Sequence, residues 1–253
     1  MIEKTDAIVL RVSPYSNTSH VVTWLTESAG KLATAVKGVQ RPKSLFLGQY
    51  DVFYTCEVLY YHRHASGLHI AKECTPLITR PRFRSDWRAF ACASYITDLL
   101  LHTTMEDDPQ RDVFRLSGLA LDFLQEHGSK TELLFWFEVR LLHALGYAPV
   151  LSRCAECRKP LPAVPSEMVA WASHGILCTR CASGKSDATA ITPDVRAVMK
   201  RWDSDDTART VASMLCTQEQ LRTLQELLGG LISTHLEIGL DSRKIALEML
   251  ASD

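Results

Sequence analysis

Residues 5–36 read TDAIVLRVSPYSNTSHVVTWLTESAGKLATAV, and this stretch decides the fold of the first part of the chain. It contains three short runs of β-branched and aromatic residues, separated by turn-forming residues at Ser13-Pro14 and Ser28-Ala-Gly30. Runs bounded in this way are typical of β-strands. Two further runs follow at Val52–Tyr61 and Leu68–Ile70, so we expect five short strands.

Five short strands at the start of the chain favour a small closed barrel, because a flat sheet of that size would leave its edge strands unpaired. We expect a barrel of the OB-fold type over residues 1–80. A small SH3-like barrel would give nearly the same strand pattern, and the number of strands does not separate the two.

The pattern changes to a helical period after Arg80-Pro-Arg-Phe-Arg84. Apolar residues then recur every three or four positions, with Ser85 or Asp86 as the expected N-cap of the first helix and Gly128 and Gly146 as expected C-caps. The expected helices are Trp87–Leu101, Asp112–Glu126, Thr131–Leu145, Pro193–Trp202, Gln218–Leu236 and Ser242–Leu250.

These patterns predict an α+β protein of two domains. Residues 1–80 would form the barrel, and residues 81–253 would form an all-α domain. An irregular, cysteine-bearing insertion is expected at residues 152–187 of the helical domain.

The strongest chemical signal is a pair of motifs, Cys154-Ala-Glu-Cys157 and Cys178-Thr-Arg-Cys181. Each motif lets two thiolates face one ion, and two motifs complete the tetrahedron of a structural Zn²⁺ site. Four sulfur ligands leave no open position for water, so the single expected zinc ion is structural and not catalytic. The alternatives are a pair of disulfides and four unconnected thiols. A chain that begins without an apolar signal segment favours reduced thiols, and so disfavours the disulfides.

Charge is distributed unevenly along the chain. The 28 Lys and Arg residues nearly balance the 29 Asp and Glu residues, so no general attraction to nucleic acid is expected. Residues 1–85, however, hold eleven basic side chains against six acidic ones, which leaves 17 against 23 for the remainder. Any binding of nucleic acid is therefore expected on the barrel.

Basic residues on loops at the rim of a small barrel can follow a phosphate backbone, and nearby aromatic rings can stack on unpaired bases. The candidate DNA-binding residues are Arg11, Lys31, Lys37, Arg41, Lys43, Arg80, Arg82 and Arg84. The candidate stacking residues are Tyr15, Phe46, Tyr50 and Phe53. Single strands are favoured over duplexes because the sequence shows no recognition-helix pattern.

Apolar stretches long enough to span a membrane are missing from the sequence, which favours a cytoplasmic, nucleoid-associated protein without a membrane partner. No catalytic motif of a hydrolase or nucleotide-binding enzyme is found, so no enzymatic activity is expected. Two alternatives stay open: a zinc-containing RNA-binding or transcription-regulatory module, and a nuclease or ligase accessory protein with a concealed metal site.

Several motifs resemble those of the RecO family. In the barrel these are Ala7-Ile-Val-Leu-Arg11 with Ser13-Pro-Tyr15, Leu25-Thr-Glu-Ser-Ala-Gly-Lys31 and Ala35-Val-Lys-Gly38. In the second half they are Phe137-Glu-Val-Arg-Leu-Leu-His-Ala-Leu-Gly-Tyr-Ala-Pro149, which runs into the first cysteine motif, and His174-Gly-Ile-Leu-Cys178.

The resemblance implies an OB-fold domain, a helical domain with a zinc module, and a role as a recombination mediator in DNA repair. It implies binding to single-stranded DNA, weaker binding to double-stranded DNA, and annealing of complementary strands. The partners that it implies are RecR and the C-terminal tail of the single-strand-binding protein, with RecF and RecA as further candidates. Together with RecR, such a protein would help to load RecA onto DNA that the single-strand-binding protein coats.

Overall fold

The computed structural model describes residues 1–63, 68–162, 169–172, 175–185, 188–204, 215–236, 239 and 241–252. The chain forms two compact units, one made of Met1–Ser129 with Asp241–Asp253 and the other of Lys130–Leu240. The units are groups of residues that make most of their contacts with one another. Their bounds differ from those of the expected domains, 1–80 and 81–253. The expected division stays a prediction.

Five strands form a closed barrel in the first unit, as the sequence predicts. They are β1 (Ile2–Ser16), β2 (Ser19–Thr26), β3 (Gly30–Val36), β4 (Thr55–Tyr61) and β5 (Leu68–Ile78). Their order around the barrel is β1-β2-β3-β5-β4, in which β3 and β5 are parallel and the other neighbours are antiparallel. A five-stranded barrel in this order is OB-like.

Strand β1 is much longer than its apolar run indicates, because it pairs with two other strands. It spans 15 residues, pairs with β4 over Ile2–Ile8, and pairs with β2 from Ala7 onward. The register shifts between Val9 and Arg11, where an irregularity of this kind bends a strand and increases its twist. One bent strand thus links two parts of the barrel wall.

Alternating residues of these strands fill the barrel. Val9, Trp24 and Leu32 lie opposite one another on β1, β2 and β3, and all three are buried. The indole Nε1 of Trp24 donates to Thr34 Oγ1 at 2.9 Å, so its polar group is satisfied inside the core.

Helices complete the first unit. A 3-10 helix at Pro81–Arg84 leads from the barrel into α1 (Trp87–Thr103) and α2 (Arg111–His127), and the last helix, α7 (Asp241–Ala251), packs on α1. Asp86 is the N-cap of α1, since its Oδ1 accepts the backbone N–H groups of Arg88 and Ala89. Of the two alternative N-caps expected for this helix, Ser85 and Asp86, the second is confirmed.

The loop between α1 and α2 lies against the turn between β2 and β3. Gly30 in that turn has a φ of +68°, and a Cβ atom there would lie 2.5 Å from the carbonyl oxygen of Asp108. Only glycine permits this close approach. Gly30 therefore also lets the loop between α1 and α2 pack against the barrel.

The second unit has a helical core and a small sheet. Its elements are α3 (Thr131–Ala144), β6 (Val169–Ala172), β7 (Gly175–Cys178), α4 (Thr179–Ala182), β8 (Thr189–Ile191), α5 (Pro193–Ser204) and α6 (Gln218–Leu236). Helix α3 packs against α5 and α6, and Trp136, Trp202 and Leu228 are fully buried. The sheet has the order β7-β6-β8; β6 and β7 lie within residues 152–187, which were expected to be irregular, and β8 follows directly after them. Within the described ranges, no helix is long and apolar enough to cross a bilayer.

Candidate metal centre and nucleic-acid interface

The four cysteines of the two motifs converge at one point in the second unit. Their Sγ atoms all lie within 4.8 Å of one another, and the Sγ atoms of Cys157 and Cys178 are 3.9 Å apart. A tetrahedral ion with metal–sulfur bonds of ~2.3 Å holds its sulfur ligands roughly 3.8 Å apart. Cys154, Cys157, Cys178 and Cys181 therefore have the spacing of a four-thiolate site and can hold one metal ion.

The first cysteine motif is a tight turn. The N–H of Arg158 donates to the carbonyl of Cys154 at 3.0 Å, and the N–H of Cys154 donates to the carbonyl of Lys159 at 2.9 Å. This turn holds Arg158 in the left-handed region, with a φ of 60°, which is unusual for a residue with a long side chain. Backbone strain at Arg158 thus accompanies the turn that carries the first two thiols.

The second motif begins at the end of β7, where Cys178 precedes the short helix that carries Cys181. Gly175, at the start of β7, has a φ of +121°, and a Cβ atom there would lie 3.2 Å from the Cβ of Ala155. The N–H of Ala155 donates to the carbonyl of Ile176 at 2.7 Å. One backbone hydrogen bond therefore joins the first motif to the strand that leads to the second. His174 lies outside the described residues.

The thiols differ in acidity. Burial raises the pKa of Cys154, but hydrogen bonds from backbone N–H groups of the two motifs outweigh that effect and lower it to about 6. The pKa of Cys181 is raised to about 12, first by its hydrogen bond to Cys178 and then by burial. A metal ion must displace the remaining protons, so its affinity increases with pH.

Among the described residues, no histidine or carboxylate joins the four cysteines. Four sulfur ligands fill a tetrahedron and leave no position for a reactive water.

Arg196 of α5 supports this centre, and the sequence analysis missed it. Its side chain is fully buried; Nε and Nη2 donate to the carbonyl of Leu151 at 3.1 and 2.7 Å, and Nη2 donates to the carbonyl of Pro162 at 3.0 Å. The two carbonyls flank the first motif in sequence, so Arg196 ties both sides of it to α5. One signal was present in the sequence: Arg196 falls on the apolar face of its helix with Val195 and Met199.

Three predicted DNA-binding residues are exposed on the connector between β3 and β4: Lys37, Arg41 and Lys43. Two hydrogen bonds hold this connector against the β1–β2 turn. The N–H of Gln40 donates to the carbonyl of Thr18 at 3.5 Å, and the N–H of Gly38 donates to Ser19 Oγ at 3.4 Å. The structure therefore holds the start of the connector, which carries the three basic residues, beside the β1–β2 turn, and we call these residues the connector cluster.

Arg11 is also exposed, on the outer side of β1, where it lies opposite Thr23 of β2. Among the residues that the structure describes, neither Arg11 nor any member of the connector cluster pairs with a carboxylate. These four cations are therefore available to a polyanion.

The other four predicted residues do not join them. Lys31 Nζ donates to the carbonyl of Leu101 at 2.7 Å, at the end of α1, and Arg82 Nη1 donates to the carbonyl of Leu124 at 3.3 Å, at the end of α2. Arg84 is exposed, but its Nη2 lies 3.0 Å from Asp51 Oδ2. These side chains are engaged in contacts within the first unit.

Arg80 is 2% exposed. Its Nη2 lies 2.7 Å from Asp122 Oδ1 of α2, and its Nη1 donates to Thr55 Oγ1 at 3.0 Å and to the carbonyl of Phe53. A buried guanidinium with these partners joins the barrel to α2. It would have to break an ion pair to reach a phosphate, so we leave it out of the proposed DNA-binding face.

The predicted stacking residues are mostly engaged inside the protein as well. Phe46 and Tyr50 pack against the barrel core, and the hydroxyl of Tyr50 lies 2.9 Å from His20 Nδ1. Phe53 is buried among other phenylalanine rings. Tyr15, which is 59% exposed, is the one member of the predicted set whose ring is open to solvent.

Comparisons with known proteins agree with this architecture. The family description "Recombination protein O N terminal" matches residues 1–80, and "Recombination protein O C terminal" matches residues 84–244. A DNA repair protein RecO from Geobacter metallireducens is 30% identical over 239 residues, which cover 94% of each chain. Another from Syntrophus aciditrophicus is 29% identical over 192 residues, which cover 76% of this chain and 72% of the relative. The two matched regions span nearly the whole sequence, and the chain belongs to the RecO family of DNA repair proteins.

Proposed function

We propose that this protein binds single-stranded DNA on the outer side of its barrel. The observation that carries the proposal is the position of the connector cluster, three exposed cations held beside the β1–β2 turn. OB barrels bind oligonucleotides on the face of their second and third strands and at the loops next to that face. Arg11, which is exposed on β1, adds a further cation to the outer side of the barrel.

Single strands are the preferred form of DNA for a physical reason. Lysine and arginine side chains bind phosphates in any sequence, and they do so for duplexes as well. An exposed ring such as that of Tyr15 adds stacking only when a base is unpaired. Duplex DNA is therefore expected to bind more weakly.

The metal in this proposal is one structural zinc ion. Four thiolates at tetrahedral spacing favour zinc or an iron–sulfur cluster, and the sulfur separation of 3.9 Å fits a single ion. Cys154, Cys157, Cys178 and Cys181 would supply all of its ligands.

The activity is a set of binding equilibria in which no covalent bond changes. A cationic face screens the repulsion between two strands and so promotes their annealing. Membership of the RecO family supports the further role, in which the protein acts with RecR to load RecA onto DNA coated by single-strand-binding protein. The tail of the coating protein, and RecF, are the remaining proposed partners.

The salt dependence of binding to oligothymidylate tests the DNA-binding face. Replacing Arg41 and Lys43 by alanine should reduce the slope of log K against log salt by ~0.7 for each lost phosphate contact, or about 1.4 in total. The matched control replaces Lys4 and Lys72, exposed barrel lysines that pair with glutamates, and should leave the slope nearly unchanged.

Equal slopes for the two double variants would place the binding face elsewhere. A strong preference for one base sequence or for RNA would favour the alternative, a zinc-containing RNA-binding or transcription-regulatory module. An annealing assay with complementary strands, with and without the coating protein, tests the mediator role directly.

A further inference from the structure

A groove of about 400 Å³ opens beside the first cysteine motif in the second unit. One wall is the segment 146–150 that follows α3, and another is formed by Trp171 of β6 with Gly175 and Ile176 of β7. The side chains that define its chemistry are Tyr147, Arg153, Arg158, Trp171 and His235. Its volume is within the range of sites that hold small ligands or parts of larger ones.

Three aromatic side chains line this groove. The rings of Tyr147 and His235 stack, with centroids 5.4 Å apart and planes inclined by 20°. Tyr147 is 44% exposed, and Trp171 of β6 is half-buried. The groove therefore presents flat π-faces in contact with solvent, which is the surface that unpaired bases need for stacking.

Two arginines supply positive charge at the same place. Arg153 and Arg158 are both exposed, and neither pairs with a carboxylate among the described residues. Glu156, which lies between them in sequence, is paired with Lys185 instead. Arg158 moreover occupies the left-handed position of the turn, where a residue without a side chain would fit with less strain.

We propose that this groove is a second site for single-stranded nucleic acid. A base would stack on Tyr147 or Trp171, and the guanidinium groups of Arg153 and Arg158 would bind the adjoining phosphates. The inference rests on the proposed function, because it adds a second strand to the one that the barrel binds. Two sites on one molecule would hold two strands near each other, and this proximity is what annealing requires.

A simpler role for the arginines is to offset the negative charge of four thiolates around a divalent ion. That role concerns charge alone, whereas the proposal also requires the aromatic rings. Variants that remove charge inside and outside the groove, together with a variant that removes a ring, distinguish the two roles.

The experiment counts short oligothymidylates, about eight nucleotides long, bound to the full-length protein at saturation. The unmodified protein should bind two. The R153A/R158A variant should bind one, with the barrel affinity unchanged, and should anneal complementary strands at least about tenfold more slowly. The matched control is K159A/R180A, which removes two exposed cations of the same module outside the groove and should still bind two.

Tyr147→Ala is the second test, because it removes a ring without changing charge and lies outside the cysteine motifs. It should also reduce the count to one with the zinc content unchanged, and Tyr147→Phe should restore two. A count of two in either R153A/R158A or Tyr147→Ala overturns the inference, and so does an equal loss in the charge control. An unmodified protein that binds no oligonucleotide at all would instead defeat the proposed function.

Discussion

The barrel and the cysteine-bearing part of the second unit are built from elements of different length. The barrel closes its ring of strands with backbone hydrogen bonds and fills its interior with buried residues such as Trp24. Within residues 151–191, the part that the structure describes forms strands of three or four residues and a helix of one turn. Short elements offer fewer backbone hydrogen bonds than the closed ring of strands does, so we propose that a metal ion held by the four cysteines stabilises this region.

Two buried arginines, one in each unit, also differ in their hydrogen-bond partners. Arg80, in the first unit, has an ion-pair partner in Asp122, while Arg196, in the second, donates to the carbonyls of Leu151 and Pro162. Burial lowers the pKa of both guanidinium groups, and Asp122 offsets this for Arg80. Arg80 thus connects the barrel to α2, whereas Arg196 holds the two segments on either side of the first cysteine motif.

Metal removal should give the largest difference between the two regions. Loss of a structural zinc ion removes ~10–16 kcal/mol of apparent binding free energy in small zinc domains. We expect chelation, or Cys157→Ser, to abolish hydrogen-exchange protection at residues 154–161 and 175–178. The amides of β1 to β5 should keep their protection.

The control for this experiment is Cys216→Ser, since Cys216 is a half-buried cysteine of the same unit that does not belong to the cluster. Acidification should act like chelation, because protons compete for the thiolates: below a pH of about 6 even Cys154 is protonated. Metal affinity should therefore fall as pH falls. Retained protection of the first motif in metal-free protein would remove the contrast between the regions.

Breaking the ion pair in the first unit should have the next largest effect. Asp122→Ala leaves the buried guanidinium of Arg80 without its carboxylate, which typically costs about 3–5 kcal/mol of unfolding free energy. Arg80→Met should cost less, because an apolar chain suits the buried site and the carboxylate of Asp122 is 37% exposed and stays hydrated. Urea unfolding, followed by exchange of the barrel amides, measures both values.

Asp112→Ala is the matched control, as it removes an exposed carboxylate from the first turn of the same helix and should cost less than ~1 kcal/mol. If Asp122→Ala proved no more harmful than Arg80→Met, the pair would not be the link between the barrel and α2. Zinc affinity should be the same in all three variants.

The sequence predicted the elements well where one local pattern specified them. Five β-branched runs gave the barrel strands, and two short cysteine spacings gave the metal centre. The length of β1 could not be predicted, because its first half pairs with β4, about 50 residues away in sequence. The OB-like order likewise became clear only from the parallel pairing of β3 with β5.

Charge was harder to interpret than apolar pattern. A count of basic residues treats Arg80 and Arg41 alike, yet one is buried against Asp122 and the other is exposed on a loop. The difference arises from a contact 42 residues away in sequence. The groove beside the metal centre has the same origin, since His235 and Tyr147 are brought together only by the folded unit.

Replacing Arg196 should give the smallest effect, and it tests whether α5 helps to shape the first cysteine motif. Arg196→Met keeps the apolar length of the side chain but leaves the carbonyls of Leu151 and Pro162 without their donor, at a cost of about 1–3 kcal/mol. The lost hydrogen bonds destabilise the formed turn of the first cysteine motif, which is the form that binds the metal. Zinc affinity, measured by competition with a chromophoric chelator, should therefore fall roughly tenfold or more. Arg201→Met, an exposed arginine on the same helix, should leave that affinity unchanged. Equal zinc affinities in both variants would mean that the four sulfurs shape the turn without help from α5. Arg196 would then have no part in metal binding.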